Sequence, residues 1–190
     1  MSVGNQHMLA AVCSRMSCYP RTWWVAGGWA IDLHLGRQHR SHKDVDIAVL
    51  RRDQQELRSF FCGWSLQKVV NGAFQPWWPN EVLELPVHEV HAEREAEHVE
   101  FLLNESTDDR WVFRRNPSIS MPLERASRCS AQGIPYLCPE IVLLYKAKAP
   151  RDHDLDDFRR ARTALDTDAR QWLAAALDAC HPGHEWIGKL

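Results

Sequence analysis

The spacing of apolar residues predicts helices at both ends of the chain and strands between them. Apolar side chains recur at three- and four-residue intervals over residues 7–17, the spacing of one helix face. Short apolar runs bounded by turn residues then predict strands at 23–26, 44–50, 65–70, 99–104, 111–115 and 133–137. Helical spacing returns after Pro139, after Pro150 and around Trp172. The pattern changes from mixed α/β to helical near residue 138, so we expect a domain at 1–137 with a helical segment, 138–190, packed on it.

Two carboxylates open one of the predicted strands. Asp44 and Asp46 flank Val45, and an apolar run follows to Leu50. Because strand side chains alternate between faces, both carboxylates should lie on one face, about 7 Å apart along the backbone. Oxygen ligands of this kind suit Mg²⁺, which takes one or two carboxylates and leaves the other positions to water and phosphate.

A glycine pair precedes the carboxylates. Gly27 and Gly28 separate the apolar run that begins at Trp23 from a predicted helix at about 29–35. Such a pair allows a tight turn into a helix N-terminus, where backbone N–H groups can bind phosphate. Most isolated Gly-Gly pairs are only turns, and most isolated Asp-x-Asp pairs are solvated. The two motifs in this order are more specific than either alone.

The combined motif resembles the signature of the DNA-polymerase-β-type nucleotidyltransferase superfamily. That signature is Gly-Gly-(Ser or Trp), a short helix, and then Asp-x-Asp on a strand. The version here, Gly-Gly-Trp-Ala-Ile-Asp with Arg40 and His42 before the aspartates, is most similar to aminoglycoside 2''-nucleotidyltransferases, and also resembles lincosamide nucleotidyltransferases. The strong part of the match covers about thirty residues. The resemblance implies a nucleotidyltransferase fold, a mixed β-sheet flanked by helices, for the 1–137 domain.

The resemblance also implies a reaction, in which AMP from ATP is transferred to a hydroxyl of a small molecule, with an antibiotic as the acceptor class. Two Mg²⁺ ions can stabilise the attacking and leaving oxygens of such a displacement. The superfamily adds a third carboxylate from a neighbouring strand, usually an aspartate. Glu100 is our candidate here, both as metal ligand and as general base, with Glu89 and Glu105 as competitors.

Cationic side chains are needed for the triphosphate. We expect the nucleotide to be contacted by residues of the glycine turn and by nearby basic residues: Gly27, Gly28, Trp29, Arg40, Lys146 and Lys148, with Arg115 also available. The alternative for each basic residue is a solvated surface position. A cationic acceptor would favour an acidic pocket, for which the candidates are Glu84, Glu89, Glu93, Glu95 and Asp108.

Composition narrows the other possibilities. The formal net charge is −2 over 190 residues, so a long polyanion such as nucleic acid is not indicated as a partner. No basic segment followed by an apolar run begins the sequence, no apolar run approaches a membrane span, and the six cysteines form no C-x-x-C pair. These features favour a cytoplasmic protein with reduced thiols. Ten histidines invite a zinc interpretation, especially His88 and His91, but their flanks show no tetrahedral ligand set.

Two rival functions stay open at this stage. One is a nucleotidyltransferase that acts on protein or tRNA, as in toxin–antitoxin systems related to this fold, although the chain has no basic stripe. The other is a non-catalytic nucleotide-binding module, against which the intact Asp44 and Asp46 argue.

Overall fold

The computed structural model describes the backbone of residues 3–190 and the side chains from residue 6 onward. Six helices are present in that part of the chain: α1 Val3–Met16, α2 Gly27–His34, α3 Gln54–Phe60, α4 Pro139–Lys146, α5 Asp152–Ala161 and α6 Thr167–Cys180. Ten strands are present there: β1 Trp23–Val25, β2 Asp46–Leu50, β3 Ser65–Val70, β4 Ala73–Pro76, β5 Glu89–Arg94, β6 Glu97–Ser106, β7 Arg110–Val112, β8 Ser120–Pro122, β9 Ser127–Cys129 and β10 Pro135–Leu137. No helix in these residues is long and apolar enough to cross a membrane.

The strands form one mixed sheet in the order β4-β3-β5-β6-β2-β1-β10-β9, and β7 and β8 extend from the end of β6. The central strand β2 pairs in parallel with β6 and antiparallel with β1. Its residues from Ile47 to Leu50 are fully buried. An apolar strand of this kind is typical of the middle of a sheet covered on both faces.

Turn chemistry explains the β3–β4 hairpin. Asn71 and Gly72 connect the two strands with φ values of 51° and 78°. Positive φ at both turn residues is the conformation that a two-residue hairpin requires, and asparagine and glycine adopt it at low cost. The strand predicted at 65–70 is therefore present, and it ends at this turn.

The C-terminal helices share the core with the sheet. Ile141, Leu143 and Leu144 of α4 have no exposed surface, and α4 and α5 both contact α2. Trp111 of β7 contacts the ring of Trp172 of α6, with ring centroids 6.3 Å apart. The boundary predicted at 137/138 falls between β10 and α4, and the division into two parts stays a prediction.

Several elements differ from the sequence-based expectation. Helix α2 begins at Gly27, two residues earlier than predicted, and β2 begins at Asp46 rather than at Asp44. The strands β4, β5, β8 and β9 lie in segments for which the sequence pattern predicted no strand. Pairing explains these strands: β5, for example, is polar on one face but lies between β3 and β6, which satisfy its backbone hydrogen bonds.

Candidate active site

A cleft of about 750 Å³ lies where the start of α2, the start of β2 and the end of α4 meet. Eight of the nine predicted site residues line this cleft: Gly27, Gly28, Arg40, Asp44, Asp46, Glu100, Lys146 and Lys148. They come from distant parts of the sequence, and the sheet topology brings them together.

Strand pairing places two carboxylates side by side. Asp46 is the first residue of β2, and its partner in the parallel register with β6 is Glu100. Their carboxyl groups share a hydrogen bond. Burial, and after it the negative charges of Asp46 and Glu89, raise the pKa of Glu100 to about 8. Burial also raises the pKa of Asp46, whereas the charge of Lys146 lowers it. Two adjacent carboxyl groups that resist ionisation together provide a strong site for a cation.

Asp44 also lines the cleft, but it does not belong to strand β2. It lies in the bend before β2, and its side chain is 51% exposed. The prediction that it shares a regular strand face with Asp46 is therefore wrong, because the strand starts two residues later. Its charge still acts on both buried carboxyl groups, since it raises the pKa of Asp46 and of Glu100. It is the solvent-facing member of the three carboxylates.

The two glycines are needed for close packing around these groups. Gly27 has a φ of 56°, and a Cβ atom there would lie 1.8 Å from Oδ2 of Asp46. A Cβ atom on Gly28 would lie 2.2 Å from Nη2 of Arg40 and 2.6 Å from Cε1 of His42. Any side chain at either position would displace a residue that lines the cleft. Phosphate binding by this turn stays a prediction.

Two of the predicted basic residues are held by buried aspartates of α5. Arg40 donates two hydrogen bonds of 3.1 Å to the carboxylate of Asp157. Lys146 donates to Asp154 and lies 3.1 Å from Oδ2 of Asp157. Although burial alone would raise the pKa of Asp154, its hydrogen bonds with Lys146 and Arg151 lower it to about 2. Both cations therefore reach the cleft with part of their charge already neutralised.

Other basic residues that line the cleft include Lys148, Arg114 and Arg115. Lys148 is exposed just beyond the end of α4. Arg114 and Arg115 lie over the ring of Tyr145, with guanidinium carbons 5.4 Å and 5.3 Å from the ring centroid. Burial lowers the pKa of both arginines, which remain cationic at neutral pH. The sequence analysis overlooked Arg114. The sequence does not show which arginine of the Arg114-Arg115 pair faces the cleft.

Trp29, which was predicted to contact the nucleotide, does not line the cleft, and neither does Asp32. Trp29 is 4% exposed and packs against His42, with ring centroids 4.5 Å apart, so it lies behind the cleft wall instead of on it. Asp32 is a buried residue in the second half of α2, and its Oδ2 lies 2.6 Å from Nε2 of His42. Because α2 starts at Gly27, Asp32 lies outside its first turn and does not face the positive end of the helix. Asp32 instead orders the connector that carries Arg40 and His42.

The sequence analysis considered Glu89 and His91 separately and did not place them beside Glu100. Glu89 and His91 on β5 lie against Glu100, and His98 on β6 lies against His91. A clue was available in the sequence, since Glu89, His91 and Glu93 alternate with apolar residues as on a half-buried strand. Without the register of β5 and β6, that alternation does not show what the polar face meets.

The mixed sheet with this carboxylate cleft defines a protein of the nucleotidyltransferase fold. Residues 8–118, more than half of the chain, match the family model described as aminoglycoside-2''-adenylyltransferase. The chain belongs to that family, which confirms the resemblance and the fold class predicted from the sequence.

A curated relative agrees with this assignment over part of its length. A 2''-aminoglycoside nucleotidyltransferase from Klebsiella pneumoniae is 32% identical over a stretch that covers 33% of this chain and 43% of that protein. The chain thus spans less than half the length of the curated relative.

Solved structures show the same fold over nearly the whole chain. The solution structure of the antibiotic-resistance factor ANT(2'')-Ia has a TM-score of 0.63 at 18% identity, covering 100% of this chain and 99% of that one. A structure of ANT(2'')-Ia in complex with adenylyl-2''-tobramycin has a TM-score of 0.61 at 17% identity, covering 92% and 97%. The lincosamide antibiotic adenylyltransferase LnuA, lincomycin-bound, has a TM-score of 0.58 at 18% identity, covering 84% and 98%.

Proposed function

We propose that this protein is a Mg²⁺-dependent adenylyltransferase that transfers AMP from ATP to a hydroxyl group of a small molecule. The acceptor class we propose is an aminoglycoside-like or lincosamide-like antibiotic, because the family and the structural neighbours carry those names. The observation that carries the proposal is the pairing of Asp46 with Glu100 in the cleft, beside Gly27 and within the field of Asp44.

The three carboxylates fit the chemistry of a magnesium site. They offer only oxygen donors, and hard cations such as Mg²⁺ prefer oxygen. Bound Mg²⁺ would supply positive charge to the triphosphate and to the oxygens at which charge develops. The raised pKa of Glu100 supports this role, since two neighbouring carboxyl groups that resist joint ionisation gain the most from a cation.

In the proposed transfer, the acceptor hydroxyl oxygen attacks the α-phosphorus, and the bond between that phosphorus and the α,β-bridging oxygen breaks. Pyrophosphate leaves with the electron pair of the broken bond. The hydroxyl proton passes to a carboxylate of the chain, and we assign this role to Glu100, which is half-buried on the cleft wall. Glu100 must be ionised to accept it.

Basic residues around the cleft supply the remaining contacts in this proposal. Lys148 and Arg115 would bind phosphate oxygens, together with Arg40 and Lys146 from the ion-pair network. The acceptor would enter beside the carboxylates, which favours a cationic group on it.

The test is transfer of label from ATP labelled at the α-phosphate to a panel of aminoglycosides and lincosamides, with Mg²⁺ present. We expect at least one acceptor to be labelled, and Asp46→Asn to lower the rate by roughly 100-fold or more. Asp178→Asn is the control, since Asp178 is exposed on α6 and does not line the cleft. Unlabelled acceptors across the panel would refute the acceptor class, and near-normal turnover by folded Asp46→Asn would refute the site.

A further inference from the structure

A second group of potential ligands adjoins the three carboxylates. We call it the β5–β6 cluster, and it consists of Glu89, His91 and Glu100. One ligand atom from each residue lies within 4.8 Å of the others. His91 is the partner of Glu100 in the antiparallel register of β5 and β6, and Glu89 lies two residues earlier on the same face of β5. The regular sheet, not a flexible loop, therefore positions all three side chains.

His91 is oriented like a metal-binding histidine. Its side chain is 9% exposed, and Nε2 lies 2.8 Å from Oε1 of Glu89. The other ring nitrogen, Nδ1, lies 2.8 Å from Nε2 of His98, whose Nδ1 is 3.9 Å from Oδ1 of Asp44. Histidines that bind metals almost always have the second nitrogen held in this way, because that contact sets the tautomer and the ring orientation.

An aromatic side chain restrains the imidazole from the third side. The ring of Phe74 on the edge strand β4 packs edge-on against His91, with ring centroids 4.8 Å apart and an interplanar angle of 89°. The ring of His98 is also in contact, with centroids 5.0 Å apart and an interplanar angle of 33°. These two ring contacts restrain the imidazole with its Nε2 directed at Glu89.

We propose that the β5–β6 cluster is a binding site for a borderline-soft divalent cation of the Zn²⁺ type. One imidazole nitrogen and two carboxylates are ligands that Zn²⁺ accepts, with water in the open position. Imidazole favours Zn²⁺ over Mg²⁺, whereas Asp44 and Asp46 offer oxygen alone. The proposal goes beyond AMP transfer, since it concerns Zn²⁺ binding in the absence of nucleotide.

Binding at this site replaces a proton by the cation. In the absence of metal, Nε2 of His91 and Oε1 of Glu89 lie within hydrogen-bond distance, 2.8 Å apart. Zn²⁺ would take the place of the proton between these two atoms, and the bound form of His91 would be the neutral tautomer with its proton on Nδ1, donating to Nε2 of His98. The displaced proton leaves to solvent.

The experiment is calorimetric titration of the full chain with Zn²⁺, without nucleotide and with millimolar Mg²⁺ present. We expect His91→Gln to weaken Zn²⁺ binding by roughly 10- to 100-fold, and Glu89→Gln to weaken it in the same direction. Glu89 is partly exposed, so its variant tests the site even if His91→Gln does not fold. Two controls should bind as the wild type does: Glu93→Gln removes an exposed carboxylate from the same strand, and His184→Gln removes a partly buried histidine far along the chain.

Histidine ring signals in NMR spectra give a second readout. Zn²⁺ should shift the signal that is missing from His91→Gln and leave the His184 signal in place. Unchanged Zn²⁺ affinity in both folded cluster variants, or no Zn²⁺ binding by the wild type in millimolar Mg²⁺, would overturn the proposal. Neither result would bear on AMP transfer, which is measured separately with labelled ATP.

Discussion

At the scale of single residues, the charge of Glu100 governs the electrostatics of the cleft in the absence of cations. Its pKa is raised from the usual glutamate value to about 8 by burial and by the carboxylates of Asp46, Glu89 and Asp44. In the unfolded chain these neighbours are absent, so the folded state holds a proton that the unfolded state has released. Stability should therefore fall as pH rises from about 4.5 to about 8, and it should change no further through this group above that range.

We expect Glu100→Gln to be more stable than the wild type at pH 8.5 when divalent cations are removed with a chelator, and nearly equal to it at pH 4.5. Each pKa unit corresponds to about 1.4 kcal/mol. Because the neighbouring carboxyl groups also change their protonation, the increase in the free energy of unfolding should be smaller than the full shift, roughly 1–3 kcal/mol. Urea unfolding at the two pH values measures it.

The exposed residue Glu95 provides the matched control, since Glu95→Gln removes a carboxylate at the β5–β6 turn. Its stability relative to the wild type should hardly depend on pH. A Glu100→Gln difference that stays constant between pH 4.5 and 8.5 would contradict the assigned burial of this carboxyl group.

At the scale of elements, an ion-pair network joins the connector before β2 to helices α4 and α5. Asp157 is 5% exposed and contacts both Arg40 and Lys146, while Asp154 holds Lys146 from one turn earlier on α5. This network places Arg40 against Gly28 and so closes one side of the cleft. Buried charges of this kind depend on one another, because removal of one leaves its partner desolvated.

We expect Asp157→Asn to lower the free energy of unfolding by roughly 1–3 kcal/mol, less than for a fully isolated pair because Lys146 keeps Asp154. Urea unfolding at pH 7 measures this change. Asp156→Asn, at the exposed neighbouring position, should change stability by less than about 0.5 kcal/mol. Equal effects of the two variants would show that the buried network does not stabilise the connector.

At the scale of the whole molecule, the predicted boundary at 137/138 does not interrupt the hydrophobic core. The ring of Trp111 in the sheet lies 6.2 Å from that of Tyr145 and 6.3 Å from that of Trp172, and both partners belong to the C-terminal helices. The cleft is also built from both sides of this boundary. A core shared in this way couples the unfolding of the two parts.

We therefore expect a single cooperative unfolding transition in urea. Tryptophan fluorescence reports mainly on residues 1–137, which contain seven of the nine tryptophans. Its midpoint should equal that of far-UV circular dichroism, which is dominated by the helices. Trp172→Phe should shift both midpoints together. Two separated transitions would instead indicate that 1–137 and 138–190 fold as independent units.

The sequence by itself determined the class of the protein and the centre of its candidate site. Gly27, Gly28, Asp44 and Asp46 lie within twenty residues, and their chemistry depends on local geometry: a tight turn, a helix start and a strand start. Local geometry can be predicted from residue types and spacing. Glu100 was also identified, because a lone carboxylate within an apolar run is conspicuous in any strand.

Only the tertiary structure decided what these residues meet. The pairing of Arg40 with Asp157 of α5 is a contact across 117 residues of sequence. The pairing of His91 with Glu100 depends on the register of β5 and β6. A shift of one residue in that register would turn His91 to the opposite face of the sheet from Glu100. Register is set by the packing of the whole sheet, and for that reason neither the neutralised cations nor the β5–β6 cluster could be read from the spacing of residues along the chain.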